Sequence, residues 1–259
     1  MKRLLMPVCT VLLALCLSAV AQPFGTFSYT SLGGPTSAQA VWDITGTYTI
    51  SLPVEGLGQL SLDLPIVQDA RGKLTGPGTI LMTAGTNELI CTAKVQGRTA
   101  GPSQDFVATI SVKLAGTGEL LGEVRKFKGS LVLKLKLDPN TAHLVGSLTG
   151  NASLSGAGSG STQVPMAFPL PPEMAGSWSM TLNLQPSGTK LAGDATVTLS
   201  NGRTLPFAVN GSFSTKDGRG SLKLGGVEAA QGAKLGINTK GSPPALDRVS
   251  GRLLGVTLN

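Results

Sequence analysis

The chain has few of the residues that most often carry out chemistry. Its 259 residues include one histidine, three cysteines, two tryptophans and two tyrosines, and 14% are charged. The one histidine, His143, excludes a multi-histidine metal centre within one chain, because each imidazole ligand needs its own residue. The sequence also lacks a Gly-x-Ser-x-Gly elbow, a phosphate-binding loop and a dinucleotide fingerprint. We therefore expect a non-catalytic protein without a metal or a cofactor.

The carboxylates leave one catalytic alternative open. The 14 acidic residues are scattered along the chain, and several lie at turn-like positions, such as Asp69, Asp138, Asp217 and Asp247. A glycoside hydrolase needs two carboxyl groups that face one another across the substrate. A secreted hydrolase that uses two of these groups is the alternative from the enzyme class.

The first 21 residues predict export. A basic start, Met1 to Arg3, precedes an apolar run from Leu4 to Leu17, and small residues lead up to Ala21. This order is typical of a cleaved signal peptide, and the run is shorter than the roughly 20 apolar residues of a spanning helix. We expect cleavage between Ala21 and Gln22, a secreted or periplasmic location, and no membrane-spanning segment in the mature protein.

Removal of the signal leaves one cysteine and a mild positive charge. Cys9 and Cys16 leave with the signal, so Cys91 has no partner for an internal disulfide. Cys91 alternates in step with Leu89 and Val95, and we expect it to be buried. The formal charge of +7 falls to +5 when Lys2 and Arg3 are removed. This balance favours association with anionic surfaces.

Alternating hydrophobicity predicts an all-β fold. The pattern dominates from about residue 41 onward and is broken by Gly, Asn or Asp every 8 to 14 residues. In residues 127–137, for example, leucines occupy one parity and lysines the other, as in a strand with one buried face. We expect about 12 to 14 strands in a long antiparallel meander that forms a sandwich or a barrel. The glycines Gly129, Gly146, Gly150 and Gly211 on inward-facing parities indicate curvature or close approach.

Composition divides the chain into segments. We predict a leader or edge segment outside the main sheet over residues 22–40, a β-rich half over 41–154, a Gly/Ser-rich and then Pro-rich linker over 155–176, and a second β-rich half over 177–259. Trp42 and Trp178 open the two halves, and both halves contain Asp-x-Arg-Gly, starting at Asp69 and Asp217. A duplicated binding module explains this recurrence. The alternative is that both motifs are ordinary hairpin turns.

A basic stripe is the one candidate binding feature. Lys126, Lys128, Lys134 and Lys136 share a parity along one predicted strand, and they face the same way if that strand is continuous. Such a stripe can meet phosphate or carboxylate groups, although lysines on a sheet also discourage edge-to-edge aggregation. We expect no nucleic acid partner, because the chain is predicted to be exported and no aromatic side chain accompanies the stripe.

These observations predict an exported β-rich protein with a structural or surface-binding role in the cell envelope or extracellular matrix. The partner is then an anionic envelope surface. The alternative is a carrier that holds a lipid or another apolar small molecule in an aliphatic cavity, which would need a volume of several hundred Å³. Asn151 and Asn210 lie in Asn-x-Ser patterns, whose glycosylation depends on the host.

Overall fold

The computed structural model describes residues 26–31, 37, 39–54, 58–84, 87–120, 123–155, 158–170, 176–214, 216–240 and 245–259. The predicted signal peptide and its cleavage site at Ala21 and Gln22 lie outside the described residues. The fold is nearly all β, with 75% of the described residues in strands that form two antiparallel sheets, which confirms the predicted fold class. Within the described part of the chain, no helix has the length and apolar character needed to cross a membrane.

The first and larger sheet has nine strands, drawn from one continuous stretch of sequence. Its order is β10-β9-β8-β7-β6-β4-β3-β2, and β5 pairs with β3 and β6. The strands are β2 (Gly46–Val54), β3 (Gly58–Gln68), β4 (Lys73–Thr75), β5 (Thr79–Ala84), β6 (Asn87–Ala100), β7 (Val107–Leu120), β8 (Glu123–Asp138), β9 (His143–Leu154) and β10 (Gly158–Pro169).

The second sheet has eight strands and uses the rest of the chain. Its order is β1-β11-β12-β13-β14-β15-β16-β17, so only β1 departs from a simple meander. The strands are β1 (Thr26–Thr30), β11 (Trp178–Ser187), β12 (Lys190–Leu199), β13 (Thr204–Phe213), β14 (Gly220–Gly226), β15 (Lys234–Lys240), β16 (Ala245–Leu253) and β17 (Val256–Leu258). Single 3-10 turns cover Ser103–Asp105 and Glu228–Ala230.

Alternation along each strand places one face in the core. In β8, Leu133 and Leu135 are buried while Lys134 and Lys136 are exposed, as the period of two requires. The inward faces of both sheets contribute to one hydrophobic cluster. Neighbouring backbones approach closely within the sheet: a Cβ added at Gly146 would lie 1.9 Å from the backbone oxygen of Lys134. The glycine is therefore required by close backbone approach, as its inward parity predicted.

The nine-stranded sheet curls until its two edge strands touch. The ring of Tyr48 on β2 meets the ring of Phe168 on β10 edge to face, with centroids 5.1 Å apart. The Tyr48 hydroxyl also donates a hydrogen bond to the Ile44 backbone oxygen at 2.8 Å. Edge-to-face aromatic pairs are favourable beyond the area that they bury. The pair therefore helps to hold the curl and leaves one convex outer face.

A buried polar cluster joins the two sheets near the end of the chain. The side-chain amide of Gln68 donates to the Leu254 backbone oxygen at 2.7 Å and to the Thr99 hydroxyl at 3.0 Å. Gln68 and Thr99 are both fully buried. The backbones of Gly72 and Gly255 also approach closely here, because a Cβ added at Gly72 would lie 2.6 Å from the Gly255 Cα. Satisfied polar groups of this kind fix one relative position of the elements that they connect.

The strands correct the linker prediction and place an edge strand in the predicted leader or edge segment. Residues 158–169, predicted as a linker, form β10 and pair in register with β9. Pro165 and Pro169 are tolerated because β10 is an edge strand, where a missing N–H can face away from the ladder. In the predicted leader, residues 26–30 form β1, the opposite sheet's edge strand, paired with β11.

The strand count follows from these corrections. The described residues contain 17 strands. Four of them, β1, β10 and the three-residue β4 and β17, lie in the predicted leader and linker or are too short to show alternation. The total of 17 therefore exceeds the predicted 12 to 14. Each predicted β-rich half supplies most of one sheet, and their independence as domains stays a prediction.

Candidate anion-binding face

The four lysines of the predicted stripe lie together on the outer face of β8. Lys126, Lys128, Lys134 and Lys136 are all exposed, and β8 is continuous through all four positions. The intervening Phe127, Leu131, Leu133 and Leu135 are buried. The structure therefore brings the four ammonium groups to one face, while their binding of anions stays a prediction.

Strand pairing adds four further cations to this face. Lys113 on β7 lies opposite Ser130 of β8, and Lys94 on β6 lies opposite Lys113. Further along β6, on the same face as Lys94, Arg98 lies opposite Lys73 on β4. All four side chains are exposed. We call the eight residues the basic face: Lys73, Lys94, Arg98, Lys113, Lys126, Lys128, Lys134 and Lys136.

The basic face is almost without compensating charge. Lys136 lies 3.8 Å from the Asp105 carboxylate, and both side chains are more than half exposed. The other seven cations have no salt-bridge partner among the described residues. Of the side chains described on the outer face of β4, β6, β7 and β8, only Glu88 and Asp138 are acidic, and the Asp138 carboxylate accepts hydrogen bonds from Asn140 and Thr141 in the following turn. Like charges directly opposite each other destabilise a sheet, so an anion that lies between them relieves repulsion.

A polar trough lies at one side of the basic face. It is an open depression of about 600 Å³ on the outer surface of β8, β9 and β10. Two ladders of side chains form its walls, and the backbone of Gly129, Ala152 and Gly160 runs between them. The first wall is Lys128, Ser153 and Ser159, and the second is Ser130, Asn151 and Ser161.

The sequence alone did not predict the trough or half of the basic face, because both depend on how neighbouring strands pair. Within its own strand, Lys113 alternates with buried Val112 and Leu114, so its outward direction is readable from parity. Its position beside Ser130 and Lys94 depends on register between strands, which parity does not give. The serines of β10 lie in the predicted linker, for which no outward face is predicted.

The other chemistry-bearing residues occupy structural positions. Cys91 is buried with its sulfur 3.4 Å from the Met82 sulfur, and burial raises the pKa of its thiol. His143 contacts the Thr141 backbone oxygen through Nδ1 at 2.7 Å, in the turn between β8 and β9. Within the described ranges, no three His, Cys, Asp or Glu residues are placed to hold a metal ion.

Both Asp-x-Arg-Gly motifs form turns. The Asp69 carboxylate accepts from the backbone N–H groups of Arg71 and Lys73, at 2.9 and 2.8 Å. The Asp217 carboxylate accepts from the Arg219 N–H at 3.3 Å. Each aspartate also lies beside its own arginine at 3.5 to 3.6 Å. This is the hairpin-turn interpretation of the motif, which requires no shared ligand.

An apolar carrier needs a cavity much larger than the apolar pocket described in the eight-stranded sheet. The described apolar pocket of the eight-stranded sheet lies among Phe27, Leu182, Leu184, Leu191, Phe213, Leu222, Thr239 and Leu246. It encloses about 10 Å³, which is space for about one water molecule. Sites for small apolar ligands are larger by more than tenfold.

No match to this chain was found among protein-family models, curated proteins or solved structures.

Proposed function

We propose that this protein is an exported, non-catalytic binding protein that attaches to polyanionic material of a cell envelope or extracellular matrix. The basic face is the attachment surface. The observation that carries the proposal is that seven of its eight cations have no acidic partner among the described residues. Export rests on the signal-like sequence of residues 1–21.

The sheet makes this surface suitable for a polymer with repeated charges. Neighbouring strands lie about 4.8 Å apart and successive outward residues about 6.7 Å apart, so the cations form a two-dimensional grid on a rigid support. A single exposed ion pair contributes little, about 0.2 to 1 kcal/mol. A polyanion engages several pairs at once, and the later contacts are intramolecular. We therefore expect moderate affinity that decreases with ionic strength.

Charge reversal tests the attachment surface. The test variant carries Lys94→Glu, Lys113→Glu, Lys126→Glu and Lys128→Glu, and the probe is polygalacturonate, a polymer with one carboxylate per sugar. We expect an affinity loss of at least about tenfold, because four attractive contacts become repulsive.

A matched variant separates the basic face from net charge. Lys190→Glu, Lys223→Glu, Lys234→Glu and Lys240→Glu make the same change in net charge at exposed positions of the eight-stranded sheet. We expect this variant to lose less than about threefold in affinity, since only long-range attraction is reduced. Equal losses in the two variants would overturn the assignment of attachment to the basic face. Unchanged tryptophan fluorescence, with Trp42 and Trp178 both buried, verifies that each variant is folded.

A further inference from the structure

The two side-chain rows that form the trough walls continue in register across the sheet into the basic face. The second wall, Ser130, Asn151 and Ser161, extends in register to Lys113 on β7 and Lys94 on β6. Five strands contribute, so this row spans about 19 Å at about 4.8 Å per strand. The row is polar at its β10 end and cationic at its β6 end.

The first wall runs parallel to the second, but its cation, Lys128, lies on β8, and its continuation toward β6 is uncharged. Lys128 lies opposite Ala115 on β7, and Ala115 lies opposite Thr92 on β6. Because Ala115 is small, the wall is low at this point and leaves the Lys113 ammonium group accessible from the trough. The two rows therefore lead from the trough on β8, β9 and β10 toward the lysines of β7 and β6.

The wall chemistry matches sugar hydroxyl groups. Serine hydroxyls and the asparagine amide each donate and accept hydrogen bonds, as a sugar hydroxyl does. The described walls contain no aliphatic side chain larger than alanine and no aromatic ring. The floor is backbone beside two glycines, which lets a chain approach closely. The lysines supply charge-assisted hydrogen bonds to carboxylates.

We propose that the trough seats an extended segment of an acidic polysaccharide, with sugar hydroxyls against Ser130, Asn151 and Ser161 and carboxylates against Lys113 and Lys94. This inference rests on the proposed function and specifies its ligand. The segment lies across the strands, along the row that joins the trough to the basic face.

An anionic lipid surface is the competing source of negative charge. The basic face has exposed aliphatic neighbours, since Leu81 and Ile90 lie opposite each other on β5 and β6 and are 47% and 67% exposed. A bilayer would contact such protruding side chains. It would leave a recessed polar trough unused, so the hydroxyl walls favour the polysaccharide.

The experiment removes the polar side chains of the second wall and leaves every charged residue in place. The test variant is Ser130→Ala, Asn151→Ala and Ser161→Ala. The matched control is Asn210→Ala, Ser212→Ala and Ser221→Ala, which changes the same residue types on exposed positions of the eight-stranded sheet. The probes are polygalacturonate, polyphosphate, and vesicles that contain phosphatidylglycerol.

The polysaccharide proposal predicts a selective loss. The test variant should bind polygalacturonate about tenfold more weakly, because three hydrogen bonds are removed. Its binding to polyphosphate, which has no sugar hydroxyls, should change by less than about twofold, and the control should behave as the unmodified protein.

The other outcomes are distinct from one another. Unchanged polygalacturonate binding in the test variant overturns the polysaccharide site and leaves the basic face in place as a general polyanion surface. Binding to vesicles alone, weakened by Leu81→Ser and Ile90→Ser, assigns the face to a membrane and overturns the polysaccharide site. No binding to any of the three probes overturns the proposed function itself.

Discussion

Replacement of Gly255 by alanine is expected to lower the free energy of unfolding by about 3 kcal/mol. Gly255 has a φ of +82°, where an L residue is strained by about 1 kcal/mol. A Cβ at this position would also lie 2.3 Å from the Thr99 hydroxyl oxygen and 2.5 Å from the Thr99 backbone oxygen. Overpacking against rigid backbone adds about 1 to 3 kcal/mol. The measurement is urea unfolding followed by tryptophan fluorescence.

Gly202 provides a control with the same backbone angle. Its φ is also +82°, but a Cβ there would meet no atom within 4 Å. Gly202→Ala should therefore cost only the backbone strain, about 1 kcal/mol. A difference of about 2 kcal/mol between the variants measures the close contact between the β16–β17 turn and β6. If both variants lose the same free energy, that contact is not tight and the account of the sheet junction is wrong.

Replacement of Asp43 by asparagine is expected to destabilise the protein by about 2 kcal/mol. Asp43 is 4% exposed and lies 2.9 Å from the Arg203 guanidinium, which the opposite sheet supplies. Its carboxylate also accepts hydrogen bonds from the Thr45 backbone N–H and the Asn201 amide. Breaking a fully buried pair costs about 3 to 5 kcal/mol, and the partial exposure of Arg203 reduces this.

An exposed ion pair of the same residue types, an aspartate and an arginine, provides the control. Asp217 lies 3.6 Å from Arg219, with side chains 50% and 74% exposed, so Asp217→Asn should have a much smaller effect. Similar unfolding midpoints for the two variants would show that Asp43 and Arg203 do not stabilise the sheet junction.

A lower pH should reduce the difference in the free energy of unfolding between the unmodified protein and the Asp43→Asn variant. Burial raises the pKa of Asp43, but hydrogen bonds from Thr45 and Arg203 and the charge of Arg203 outweigh it, so the pKa is lower than its ordinary value. A lowered folded-state pKa contributes stability above the unfolded pKa of about 3.9, and the contribution is lost as the pH falls through the folded pKa. The stability difference should be constant between pH 5 and 7 and should decrease below about pH 4. A difference that grows in acid would contradict this assignment.

The sequence predicts strands well where alternation is long and the polar face carries lysine. In β8, leucines and lysines separate cleanly, and the fold class follows from such segments. β10 has the same alternation, but its outward residues are Ser159 and Ser161 and its inward residues begin with glycine. Composition resembling a flexible linker therefore hid an edge strand.

Contacts between distant parts of the chain were outside the reach of sequence reasoning. Gln68 reaches Leu254 across 186 positions, and Asp43 reaches Arg203 across 160. Parity predicts which way Lys113 points, but only register places it beside Lys94 and Ser130. The sequence thus predicts which side chains of each strand point outward, but it does not predict which of them become neighbours in the candidate site.

Amine-labelling of the lysines, with and without bound polygalacturonate, tests the central claim most directly. The rate of acetylation at each lysine is read by peptide mass spectrometry on the unmodified protein. We predict that the polymer slows labelling of Lys94, Lys113 and Lys128 and leaves Lys190, Lys223 and Lys234, which are equally exposed on the other sheet, unchanged. Protection spread evenly over both sheets, or confined to the eight-stranded sheet, would contradict the assignment of the binding surface.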